Sequence, residues 1–212
     1  MIITKPKPFD EVLSFLDKGP VFIAGCSECA TLCHTGGEEE VLTMVKTLEK
    51  KNIPVSGWVV LDPACHLQND RRLLKKHKDA LQKAKKVLVL ACGNGVQTLA
   101  ELLTAVDVVP GTDTLFLGET KRVTEFEKRC IMCGKCIIGI LGGFCPLARC
   151  PKSMLNGPCG GAQAGKCEVD PNLDCIWDLM YKRLKERGQL QLLETIQKPL
   201  DWSTCIEMRR TL

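Results

Sequence analysis

The chain has 212 residues, of which 45% are hydrophobic and 25% charged, with a net charge of +4. That balance suits a soluble protein with one moderate domain and a small one. The charge is too mild to argue for nucleic acid, and aromatic content of 5% with one Tyr leaves little for a base-stacking platform.

Elements follow from periodicity. Residues 1–19 read as a leading helix, with Phe9, Val12, Leu13 and Leu16 at helical spacing, ended by Gly19-Pro20. PVFIAGC (20–26) reads as a buried strand ending at Cys26, and 27–37 as a loop. Thr35 and Glu38 have capping-box spacing, and Glu38, Glu39 and Glu40 suit the positive end of the helix that runs to Asn52. A second strand (53–65) ends near Asp62-Pro63, with Cys65 just beyond. A basic helix follows over 67–85, then a third strand ending at Cys92, a third helix (96–105) and one or two short strands over 107–119. Strands alternating with helices predict a parallel sheet. The expected fold class is α/β, a four- or five-stranded flavodoxin-like or half-Rossmann domain over 1–120. The charged stretch 120–129 reads as a linker into an irregular cysteine-rich module, so the second unit spans 121–212. A helix is predicted over 172–196, with Ile176, Leu179, Met180 and Leu184 on one face and Gly188 interrupting it. The tail 197–212 carries Pro199 and reads as irregular at first.

The N-terminus has early lysines and no apolar signal-like core, and the longest uncharged runs, 87–100 and 136–148, are short and broken by glycine. Neither a signal peptide nor a membrane span is expected, which places the chain in the cytoplasm. Fourteen cysteines in that compartment read as metal ligands before disulfides.

The cysteines fall into two groups. Cys26, Cys65 and Cys92 each lie at or just past a predicted strand end, where parallel α/β sheets bind ligands. Cys29 and Cys33 follow strand one, so a four-thiolate site would take Cys26, Cys65 and Cys92 with either Cys29 or Cys33. Zinc is the competing occupant, since His34 and His66 sit beside Cys33 and Cys65. Buried apolar cysteines are the plain structural alternative. The second group is Cys130, Cys133, Cys136, Cys145, Cys150, Cys159, Cys167 and Cys175, eight in 46 residues and enough for two four-ligand clusters. It opens with C-x2-C-x2-C and continues to Cys145-Pro146, a pattern of ferredoxins that hold [4Fe–4S] clusters. By that analogy Cys130, Cys133 and Cys136 share one cluster with a distant fourth ligand. Cys145 then joins the other, with ligands from Cys150, Cys159, Cys167 and Cys175. Spacing alone leaves the partition open, and zinc knuckles share the C-x2-C element.

Three other features are weaker. Gly93 and Gly95 in ACGNGVQTL suit a phosphate-binding turn, but Thr98 stands where a third glycine belongs. Residues 71–86 carry eight Lys/Arg against one Asp, which reads as a solvated helix face or as a dock for an acidic electron carrier. Cys205 stands apart and reads as incidental.

The segments GCSECATLCHTGGEEEV, DPAC, ACGNGVQTLAEL, RCIMCGKCIIGILGGFCPLARCPKSMLNGPCGGAQAGKCEV and LDCIWDLMYKRLKERGQL resemble the methylenetetrahydrofolate reductase C-terminal domain family. Within it they are similar to the small iron–sulfur subunit (MetV type) of acetogen reductases. The resemblance covers about 20–205. It implies three [4Fe–4S] clusters, two in the C-terminal module and one in the N-terminal domain, with zinc as the alternative at the latter. It also implies a flavin-containing MetF-type partner that carries FMN and binds the folate. Such a partner is a barrel of about 250 residues, which this chain cannot also contain. Ferredoxin, flavodoxin or heterodisulfide-reductase-like subunits would supply the electrons. The competing readings are a zinc-stabilised assembly module of the same complex and a cluster-based disulfide reductase using the spare N-terminal cysteine.

Overall fold

The computed structural model describes residues 1–205. In chain order the elements are β1 (Ile2–Pro6), α1 (Phe9–Phe15), β2 (Val21–Cys26), α2 (Cys29–Leu32), α3 (Glu38–Lys50), β3 (Val55–Leu61), α4 (Leu67–Leu74), α5 (Lys78–Lys83) and β4 (Lys86–Leu90). They continue with α6 (Gly93–Leu102), β5 (Asp107–Pro110), β6 (Thr112–Arg122), β7 (Glu125–Cys130), α7 (Pro146–Arg149) and α8 (Ile176–Glu186). Two compact units result: 1–116 with 120–126, and 117–119 with 127–212.

The first unit is the expected α/β domain. Its four parallel strands run in the order β3-β2-β4-β5. Counting only these strands, the order is 2-1-3-4, that of the flavodoxin-like doubly wound sheets. Each residue of β2 is buried, because helices cover both faces. Phe22, Ala24 and Cys26 face one core with Leu61, Leu74, Val87, Val89 and Leu99. Val21 and Ile23 face the other, with Val12, Val41, Leu48, Leu88 and Leu90. This two-sided burial is why the strand reads as a continuous apolar run and not as an alternating one.

Several local expectations fail for identifiable reasons. The leading stretch is not one helix: Pro6 and Pro8 limit α1 to Phe9–Phe15, and the β-branched residues before them form β1. Thr35 does not cap α3. Its hydroxyl is buried against Thr4 Oγ1 at 2.7 Å and donates to the Ala30 carbonyl at 3.2 Å. Gly37 is the N-cap, and its amide donates to Glu40 Oε2 at 2.8 Å. The basic helix breaks into α4 and α5 around a 3-10 turn at Lys75–His77. The third helix begins at Gly93, so Gly93 and Gly95 form its first turn instead of a free phosphate loop. The charged 120–129 stretch is strand: β6 and β7 form a three-stranded sheet with β1, in the order β1-β6-β7.

The second unit has a small core of Leu141, Ile176, Trp177 and Met180. The helix is α8 alone, shorter than 172–196, and Gly188 beyond it takes a left-handed φ of 65°. Trp177 Nε1 donates to the Met154 carbonyl at 3.1 Å, tying α8 to the cysteine-bearing loop. The Arg183 guanidinium lies 3.9 Å from the Phe144 ring centre and donates to the Gly142 carbonyl at 3.1 Å. Trp202–Cys205 is a 3-10 turn, and the rest of the predicted tail lies outside the described residues.

One close approach holds the first loop in place. The Cys26 amide donates to the Gly36 carbonyl at 2.8 Å, and a Cβ on Gly36 would lie 1.7 Å from the Leu90 carbonyl oxygen. Backbone cannot yield there as a flexible side chain would. Gly36→Ala is therefore expected to destabilise the first unit by at least about 2 kcal/mol. Chemical denaturation checks this, and an unchanged midpoint would contradict the packing.

Candidate functional site

Parallel pairing puts the carboxyl ends of β2, β3 and β4 on one edge. Cys26 is level with Leu61 of β3, and Gly25 is level with Leu90 of β4. Cys26 closes β2, Cys92 is the N-cap of α6 two residues past β4, and Cys65 lies four residues past β3. The chain direction of the winding changes between β2 and β4, and such a switch point is where open α/β sheets bind ligands.

The loop after β2 supplies Cys29, at the start of α2, and Cys33, at its C-cap. The Thr31 hydroxyl donates to the Cys26 carbonyl at 2.8 Å, and the Ser27 amide donates to the Leu61 carbonyl at 2.9 Å, so the loop folds back on the strand ends. β1 closes over it. The Ile2 amide donates to Cys29 Sγ at 3.4 Å, and the Cys33 thiol reaches the Ile2 carbonyl at 3.8 Å. Burial, then the charges of Cys92, Cys26 and Cys29, push the Cys65 thiol above its ordinary value. The loop and strand-end cysteines thus lie near enough to bear on Cys65. Cys33 also lines a separate cavity against β1, β6 and β7, with His34, Phe116 and Phe126 on its wall.

Neither histidine joins a thiol set. Nδ1 of His66 accepts from the Asn69 amide at 3.2 Å and caps α4. His34 is exposed, with Nδ1 3.9 Å from Glu40 Oε1.

In the second unit the C-x2-C-x2-C segment curls tightly. Met132 and Gly134 both have left-handed φ, 55° and 80°. The Met132 amide donates to Cys130 Sγ at 3.2 Å, and the Cys133 thiol to the Lys135 carbonyl at 3.4 Å. An amide donating to a sulfur in this way suits a negatively charged Cys130. Cys136 is exposed. Cys145 is the N-cap of α7, with Pro146 at the first helical position. Burial pushes its thiol up, the amides of Ala148 and Leu147 work the other way, and the charges of Cys133 and Cys130 add to the rise.

Cys150, Cys159, Cys167 and Cys175 line one small cavity with Lys152, Glu168 and Trp177. Cys150 ends α7, and Cys175 is the N-cap of α8. A bridge between Lys166 and Asp174 brings Cys167 and Cys175 together: the Cys167 amide donates to Leu173 at 2.9 Å and the Cys175 amide to Gly165 at 2.8 Å. The Cys159 thiol donates to Glu168 Oε1 at 3.2 Å, and Glu168 pairs with Lys152. Glu168 and Lys152 went unmarked in the sequence, although their place beside Cys167 and Cys150 is a usable signal.

None of the fourteen cysteines is in a disulfide. Among the described residues, no three or more His, Cys, Asp or Glu side chains stand close enough together to hold one metal ion. Cys205 is exposed in its 3-10 turn and reaches the Trp202 carbonyl at 3.1 Å. No helix among the described residues is long and apolar enough to cross a membrane.

The basic run has a different location. Arg71, Lys75 and Lys78 stand over an apolar groove of about 660 Å³ floored by Leu74, Leu81, Leu102 and Leu103. Ala84 and Val106 in its wall precede β4 and β5, so the groove opens at the amino edge of the sheet. A five-residue strand, about 16 Å long, separates that edge from the thiols.

Residues 109–203, just under half of the chain, match a family described as "Methylene-tetrahydrofolate reductase C terminal". Over those residues the chain is similar to the C-terminal part of methylenetetrahydrofolate reductases. No curated protein and no solved structure matches the chain.

Asp70 on α4 was also unmarked in the sequence. It is fully buried, and both carboxylate oxygens lack a partner. Burial raises its pKa to about 6, against the opposing effect of His66. Its pKa in the unfolded chain is near 3.8, so the fold favours the protonated acid. That contribution is present below about pH 4 and is lost as pH rises through 6. Asp70→Asn is expected to gain roughly 2 kcal/mol over the parent at pH 8 and nothing at pH 4. Denaturation at the two pH values checks this, and equal differences at both would contradict an ionised, unpaired Asp70.

Proposed function

We propose that the chain is an iron–sulfur electron-transfer subunit that supplies electrons to the FMN of a partner methylenetetrahydrofolate reductase subunit. The partner then reduces methylene-tetrahydrofolate to methyl-tetrahydrofolate. The observation that carries the reading is the convergence of Cys26, Cys29, Cys65 and Cys92 at the switch point of the parallel sheet. Eight further cysteines in a module related to the reductase C-terminal part add to it.

The donor chemistry fits iron–sulfur groups. Thiolates are their usual ligands, and the cysteines lie in two groups along the chain, although no three of them stand within reach of one metal among the described residues. Cys26, Cys65 and Cys92 with Cys29 would hold one cluster, and the eight cysteines from Cys130 to Cys175 would hold two. A bound [4Fe–4S] cluster takes up and releases one electron at a potential set by its surroundings. The chain's own groups set those surroundings. The Ile2 amide steadies Cys29, and the Met132 amide steadies Cys130. The apolar wall of Leu141, Ile176 and Trp177 limits water beside Cys175. Ferredoxin, flavodoxin or heterodisulfide-reductase-like proteins are the expected donors.

Anaerobic purification with iron, acid-labile sulfide and zinc analysis tests this. The full chain should carry about twelve irons and as many sulfides, four for each cluster. The Cys65→Ser/Cys92→Ser variant should lose about four of each. Zinc without sulfide would overturn the redox role and leave an assembly module.

A further inference from the structure

The groove at the amino edge of the sheet joins an apolar floor to a row of cations. Leu74, Leu81, Leu102 and Leu103 form the floor, and the last three are only partly buried, so the first core is open to solvent there. The turn from α6 to β5 adds Thr104 and Ala105, both exposed and uncharged. Exposed apolar surface rimmed by polar groups marks interaction sites. The groove's volume of about 660 Å³ lies within the range of about 300–1,000 Å³ that bound ligands commonly occupy.

The cations are unmatched. Arg71, Lys75 and Lys78 recur at intervals of four and three residues along one wall. Among the described residues, none of the three has a carboxylate within ion-pair distance. Other lysines of the same unit do: Lys7 lies 2.6 Å from both Glu11 and Asp113, and Lys86 lies 2.8 Å from Asp107. Glu101, on α6, is the carboxylate of the groove wall, so three cations face one acid. Helix stability does not explain the row. Lys78 stands in the first turn of α5, where a cation opposes the helix dipole.

We propose that this groove docks an amphipathic helix of a partner protein, one that sets leucine-like side chains on the floor and a row of carboxylates against Arg71, Lys75 and Lys78. Helices that lay an apolar face into a groove are a recurrent mode of recognition. Acids three or four residues apart share one face of such a helix, and that spacing matches the cations. The basic run continues beyond the wall to Arg72, Lys76 and Lys83, all exposed, which suits a protein surface better than a single small anion. The five-residue strand β4, about 16 Å long, separates this edge from the edge that carries Cys26, so a helix docked here leaves the thiols uncovered. Docking therefore does not depend on what the thiols hold.

Fluorescence anisotropy of the full chain with a labelled helical peptide tests this. The probe carries Leu along one face and Glu in the adjacent row, each recurring at helical spacing. Binding should saturate. It should be weaker by about tenfold or more for a Gln-for-Glu peptide, for a scrambled peptide of the same composition and for the Lys75→Glu/Lys78→Glu chain. Ala105→Trp fills the groove from an exposed turn without changing charge, and should weaken binding in the same way. Lys46→Glu/Lys50→Glu makes the same change of charge at exposed positions of α3, on the other face of the sheet, and should leave binding unmoved. Equal weakening by the α3 pair, or equal affinity for the scrambled peptide, would reduce the effect to bare charge attraction and overturn the proposal. Absence of binding by every peptide would overturn it too. Tighter binding of dodecanoate than of the probe would give the groove to a small amphiphile. Self-association that Lys75→Glu/Lys78→Glu abolishes would give it to a second copy of the chain, and either result contradicts a partner helix.

Discussion

Parallel pairing of β3, β2 and β4 is the constraint on which the first unit depends. Parallel strands must return by crossover, so their carboxyl ends share an edge, and whatever follows each strand is delivered to one place. Cysteine follows each of the three. The apolar strands secure the register, with both faces of β2 buried, and the register secures the spacing of the thiols. Gly36 completes the arrangement by letting the Cys26–Gly36 loop lie on the end of β4. The packing of the loop and the position of Cys26 thus depend on one backbone contact.

The second unit solves the same problem with little core. Its buried apolar cluster is small, and several of its cysteines lie beside left-handed turn residues such as Met132, Gly134 and Gly160. α8 anchors this loop-rich segment through Trp177 and Arg183. Small domains with little core commonly use metal binding to supply the missing folding energy. Under the proposed iron–sulfur reading the thiols here would serve structure and chemistry together, in contrast with the first unit, whose sheet is complete without them.

Much of this was legible in the residues. Alternating strand and helix patterns give the parallel sheet, and the strand ends predicted at Cys26 and Cys92 fall at its carboxyl edge. The misses have physical causes. β1 is short and ends at Pro6, two residues before Pro8, so the apolar spacing of Phe9 to Leu16 spread a helix over it. The 120–129 stretch is charged because it is a solvent-facing ribbon, and charge alone does not separate ribbon from linker. Thr35 has capping-box spacing, but tertiary contact with Thr4, 31 residues away, takes its hydroxyl. Asp70 is invisible to pattern, since burial without a partner is a property of the packed helix. The choice among the eight later cysteines needs the turns between them, which spacing does not encode.

Under the proposed function, electrons held by this chain pass to a flavin. Anaerobic stopped-flow mixing tests it most directly, with the reduced chain on one side and a flavin-loaded methylenetetrahydrofolate reductase subunit on the other. Flavin bleaching matched by loss of the chain's reduced iron–sulfur signal is expected, with slower bleaching by the Cys65→Ser/Cys92→Ser variant. A flavin that stays oxidised beside a fully reduced, complexed chain would contradict it.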